Sequence, residues 1–110
     1  MNCQHQQLAA GRWKEFSFFE QMANVGSETE RAIIWKNKNN EEYKKLAFER
    51  ALELLGFTIS DDKNKKKLRE LTRLREILSD YFAFNNEYKS TDEEWRKYFY
   101  SFNYASRLGK

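Results

Sequence analysis

The chain has 110 residues, of which 40% are hydrophobic and 16% aromatic. That is core material for one folded domain and too much for an intrinsically disordered segment. A formal charge of +3 and a single cysteine, Cys3, exclude a disulfide framework and a cysteine-rich zinc site. No apolar run approaches the roughly 18 residues of a membrane span, and Met1 to Gly11 is polar without an apolar signal core, so a cytoplasmic protein is expected.

There is no proline and there are four glycines, whereas a β-rich chain draws on both for its turns. The pattern predicts an all-α protein, a compact four-helix up-down bundle. Residues 1–12 are read as a flexible N-terminus and residues 13–110 as the bundle.

The spacing predicts a first helix over Glu15 to Lys36, with Phe18, Phe19, Met22, Val25, Thr29, Ala32 and Ile33 on one side. Gly26 lies within that side. A mid-helix glycine costs about 1 kcal/mol against alanine, so a neighbouring helix is expected to pass close there. The second helix opens at Asn40, a good N-cap followed by Glu41 and Glu42, and is predicted to close at Gly56. Its apolar positions are Tyr43, Leu46, Ala47, Ala51 and Leu54, with Phe48, Leu52 and Leu55 toward the far side. They cover more than half of its circumference, which fits a central helix or an interface. Arg50 falls among them. It needs Glu28 or Asp80 as a partner, or a stem on the core with its head in water.

The third helix is expected after Ser60, Asp61 and Asp62, with Leu68, Leu71, Leu74, Ile77, Leu78, Tyr81 and Phe82 in one stripe. The fourth starts at a capping box, Ser90 with Glu93 or Thr91 with Glu94, and turns Trp95, Tyr98, Phe99, Phe102 and Ala105 inward. Connections of about three, six and six residues suit neighbouring antiparallel helices.

Catalytic constellations are poor. His5 is the only histidine, and no Arg follows the Arg-then-His order of small helical ribonucleases. The spacings Glu-x-x-His, His-x-x-x-His and Cys-x-x-Cys are missing, and the glycines stand alone rather than in a phosphate loop. No metal or cofactor is expected, and the protein is read as a non-enzyme.

Charge is more informative. Residues 63–75 hold Lys63, Lys65, Lys66, Lys67, Arg69, Arg73 and Arg75 against Glu70 alone, so the rest of the chain is net acidic. Cations at a helix start oppose the macrodipole, and clustered Lys and Arg suit a phosphate backbone. On the fourth helix the wheel turns Arg96, Lys97, Tyr100, Tyr104 and Arg107 outward, a mixture able to stack bases and neutralise phosphates. On the first helix Glu20, Asn24, Ser27 and Arg31 recur on one polar stripe, with Trp35 near its end. Spacing allows a hydrogen-bonded row of Glu20, Asn24 and Arg31, read as a protein-docking surface.

The run through Trp13, Glu15, Ser17, Glu20, Gln21, Asn24, Gly26, Ser27, Glu28 and Arg31, with the Ala47 to Leu55 stretch and Tyr98 and Phe99, resembles a small uncharacterised prokaryotic all-helical family. The resemblance spans Trp13 to Ser106 and implies no activity. In architecture and charge the chain also resembles small basic four-helix bundles that accompany ribosomal RNA insertions or the reverse transcriptases of diversity-generating retroelements. That likeness implies an RNA-linked accessory role. The expectation is therefore a non-enzymatic nucleic-acid-binding accessory protein, RNA rather than DNA, with a protein-interaction module or homo-oligomer as the alternative.

Overall fold

The computed structural model describes residues 11–108. The expected flexible segment lies outside them up to residue 10, as do Cys3, His5 and the last two residues. Residues 11–13 are helical, and four longer helices follow: α1 Phe18–Asn37, α2 Glu41–Ser60, α3 Leu68–Ala83 and α4 Asp92–Leu108. A 3-10 helix, Asp62–Lys67, runs directly into α3.

Local chemistry sets most of the boundaries. α1 starts three residues later than its apolar period predicts, because Ser17 and Glu20 form a capping box. Asn39 takes a left-handed φ of 60°, and the Asn40 side chain then caps α2 by accepting the N–H of Tyr43. Of the two candidate boxes for α4, Thr91 with Glu94 is the one used.

Two boundaries differ in kind. Gly56 does not end α2, and its φ is not positive. The helix continues to Ser60 because the next turn carries Thr58, which is wholly buried and bonded to the Leu54 carbonyl. The third helix begins as a 3-10 helix capped by Asp61, so the lysines precede α3 proper.

α1 and α2 form the centre. α1 packs against both α2 and α4, and α2 packs against α3 and the 3-10 helix. Met22, Val25, Ala32, Ile33, Ala51, Leu55, Leu71 and Leu78 are essentially inaccessible to solvent. Four positions read as inward, Phe19, Tyr43, Leu46 and Leu68, are instead exposed. The face of α2 that is covered is that of Ala47, Phe48, Ala51 and Leu55, which reaches both α1 and α3. Trp95 and Phe99 are buried as expected, and Tyr98 and Phe102 are half-buried. Arg50 is exposed and reaches Glu28 at 3.5 Å. Asp80 serves a different purpose: its carboxylate accepts the N–H groups of Glu87 and Tyr88 and holds the connection between α3 and α4. Among the described residues no helix is long and apolar enough to cross a membrane.

The close approach expected at Gly26 is present. A Cβ there would lie 2.7 Å from Cβ of Phe99 on α4, whereas one at Gly56 would meet nothing within 4 Å. The two glycines should therefore respond oppositely to alanine in urea unfolding. Gly26→Ala forces α1 and α4 apart and should destabilise by about 1–3 kcal/mol. Gly56→Ala should stabilise by up to about 1 kcal/mol. Equal responses would show that α4 does not sit against α1 at this point.

Candidate nucleic-acid interface

The basic block is anchored by a buried polar network. Nε2 of Gln21 donates to the Trp13 carbonyl at 2.9 Å and to Oδ2 of Asp61 at 2.8 Å. Nδ2 of Asn64 donates to Oε1 of Gln21 at 2.8 Å and to the Thr58 carbonyl at 2.9 Å. The Trp13 indole donates to Oγ1 of Thr58 at 2.9 Å. Gln21, Thr58, Asp61 and Asn64 are all buried, and both amide nitrogens spend both of their protons. The network ties the segment before α1, α1 itself, the end of α2 and the 3-10 helix into one unit.

Lys63 belongs to this network. Its backbone N–H and its ammonium both bond Asp61, the latter at 2.5 Å, and the ammonium also reaches the Lys14 carbonyl. Burial raises the Asp61 carboxyl, but the bonds from Lys63 and Gln21 outweigh it and hold the group below its ordinary value. Lys63, read as a phosphate contact, is thus occupied with structure.

The remaining cations of the block behave differently. Lys65, Lys66, Arg69 and Arg73 are exposed and form no ion pair among the described residues. Lys67 sits 4.7 Å from the centroid of the Phe18 ring, which meets Phe102 of α4 edge-on at 5.8 Å. This chain of contacts places the basic junction at the same end of the bundle as the C-terminal half of α4.

On α4, Tyr100 and Tyr104 stand outward, 65% and 54% exposed, with rings stacked at 6.4 Å and 25°. Lys97 and Arg107 are exposed on either side of them. Arg96 departs from this set, since its guanidinium grips Glu30 of α1 through three bonds of 2.9–3.2 Å.

The polar stripe of α1 does not form the row that its spacing allows. Asn24 donates to the Glu20 carbonyl, Ser27 donates to the Ala23 carbonyl, and Glu20 belongs to the capping box. Arg31 pairs with Glu28 at 2.7 Å, and Trp35 packs edge-on against Tyr43 at 4.9 Å. Asn24 and Ser27 bond their own helix because backbone carbonyls four residues back are nearer than the next polar side chain. Ser27 and Arg31 do meet Arg96 and Tyr100 in an open groove of about 450 Å³ between α1 and α4. Two surfaces that the sequence separates are therefore contiguous.

Sequence reasoning missed Trp13, Gln21, Thr58, Asp61 and Asn64 as a set. The one available signal was Gln21, a polar residue on the apolar side of α1. A second polar cluster joins the far ends of α1, α3 and α4, where Asp92 accepts from the Tyr81 hydroxyl, Asn37 and Lys36. Burial raises the Asp92 carboxyl, but these bonds outweigh it and leave the group below its ordinary value. Among the described residues no group of three or more His, Cys, Asp or Glu side chains is placed to hold a metal ion. Comparisons with protein-family models, curated proteins and solved structures find no match.

The network has two measurable consequences. Asn64→Ala leaves Oε1 of Gln21 without its Asn64 donor and removes one of the two donors to the Thr58 carbonyl, which should cost about 2 kcal/mol and speed amide hydrogen exchange across residues 62–67. Depressed carboxyl values in the folded state stabilise it above the unfolded value of 3.8, and this contribution is lost as pH falls through the folded-state values. Stability should therefore drop with acid below about that point, and Asp61→Asn should flatten the drop. An unchanged acid profile in that variant would remove Asp61 as its source.

Proposed function

We propose that the protein binds nucleic acid, RNA by preference, as a non-catalytic accessory protein. Lys65, Lys66, Lys67, Arg69 and Arg73 take the phosphates, and Tyr100 and Tyr104 offer faces to unstacked bases. The observation that carries this reading is the clustering of unpaired cations. Lys36, Lys44, Lys63, Arg31, Arg50 and Arg96 are each paired with a carboxylate. The five at the junction of the 3-10 helix and α3 are not, and although single cations such as Lys45, Lys89 and Lys97 are also unpaired, only here do five fall within nine residues. Concentrating like charges on one short segment is unfavourable in the free protein and becomes favourable once phosphates displace their counterions.

Rigidity supports the same reading. The network that holds Asn64 fixes the backbone from which Lys65, Lys66 and Lys67 project, so less order is lost on binding. Exposed, stacked tyrosines with flanking cations suit single strands better than a paired duplex.

Fluorescence anisotropy of labelled single-stranded RNA and duplex DNA tests the proposal. With five phosphates neutralised, raising salt from about 50 to about 200 mM should weaken RNA binding about 130-fold. The combined change of Lys65, Lys66, Arg69 and Arg73 to Glu should abolish binding. Tyr100→Ala with Tyr104→Ala should cost about 1–3 kcal/mol per stacked base on RNA and little on duplex DNA. Binding that ignores salt and the charge reversals would overturn the proposal and leave the protein-interaction reading in its place.

A further inference from the structure

The opposite electrostatic character appears in a second groove, between α3 and α4. It encloses about 400 Å³, and its lining includes Glu70 and Glu94 but no Lys or Arg. Leu74 and Ile77 supply an aliphatic wall, and three aromatic residues, Tyr88, Trp95 and Tyr98, complete it. The Trp95 and Tyr98 rings lie 6.2 Å apart at 89°, forming a corner. The Tyr88 ring is held by a 2.8 Å bond from its hydroxyl to Oε1 of Glu76.

The carboxylates are available. Glu70 makes no ion pair among the described residues, although Lys66 and Arg73 lie one helical turn to either side of it. Oε1 of Glu94 caps α4 through Thr91, while its other oxygen has no hydrogen-bond partner among the described residues. The charge of Glu70 reaches the groove: burial first, and then Glu70, push the Tyr98 hydroxyl up to about 12. Trp95, 6% exposed, also carries an indole N–H with no hydrogen-bond partner among the described residues. Buried donors are rarely left so.

The geometry points to a binding site for a small organic ammonium cation, seated against Tyr88, Trp95 and Tyr98 and neutralised by Glu70 and Glu94. Aromatic faces attract such cations through their quadrupoles, most strongly where water is displaced. The aliphatic wall accommodates the alkyl part, and the two carboxylates exclude anions, so this site is separate from the phosphate-binding one. The reading does not rest on nucleic-acid binding.

Choline is a suitable probe, compared with dimethylbutanol, which has its shape without the charge. The indole N–H resonance of Trp95 should shift saturably with choline at up to tens of millimolar. Dimethylbutanol should bind about ten-fold more weakly, which is the cation–π contribution converted to an affinity ratio. Glu70→Gln and Tyr88→Leu, both at exposed positions, should each weaken choline several-fold. Equal binding of dimethylbutanol, unchanged affinity in Glu70→Gln, or no saturable shift would each overturn the proposal.

Discussion

Two amide side chains shut away from water must find all of their hydrogen bonds inside the protein, and the basic end of this bundle is organised around that requirement. Gln21 sits on α1 where a periodic reading wants an apolar residue, and Asn64 sits in the 3-10 helix among lysines. Asn64 donates to Gln21, and Trp13, Thr58 and Asp61 supply the acceptors for the remaining amide protons. A satisfied buried network is stiff, because moving one member strands the rest. A segment with four lysines thereby acquires a fixed backbone, and α2 continues past Gly56 to deliver Thr58 to its partners.

A steric constraint governs the other side of the molecule. Gly26 lets the Phe99 side chain rest against the α1 backbone, and the bidentate pair of Arg96 with Glu30 fastens the same two helices. α4 is therefore drawn onto α1. Its contact with α3 is left to the long aromatic side chains of Trp95, Tyr98 and Tyr81. Helices spaced by large rings leave a furrow between them, and the groove lined by Glu70 and Glu94 is that furrow.

Charge is partitioned accordingly. Among the described residues six cations are paired with carboxylates, and exposed pairs of this kind contribute little to stability. At the junction of the 3-10 helix and α3 the cations stand unbalanced. Within the same stretch, Glu70 lines the furrow instead. The start of α3 thus presents cations to solvent and a carboxylate to the furrow.

The four helices and the capping residues Asn40, Asp61 and Thr91 were legible in the sequence, because each depends on residues within one or two turns of each other, and a glycine within the apolar side of α1 marked the close approach at Gly26 without naming Phe99 as its partner. The identity of the unpaired basic residues was only partly legible: Lys63 and Arg96 look like their neighbours in sequence, yet each is claimed by a carboxylate in space. Phe19, Tyr43, Leu46 and Leu68 fit the apolar period, and only the placement of neighbouring helices decides that they are uncovered. The partners of the central network lie 40 to 45 residues apart, a separation on which a helical wheel is silent. The sequence by itself determined the helices, their caps and the concentration of charge, since backbone hydrogen bonding and a 3.6-residue period are local. Tertiary structure alone decided which polar groups are consumed by the core and which remain free for a ligand, since that depends on what lies opposite each side chain after folding.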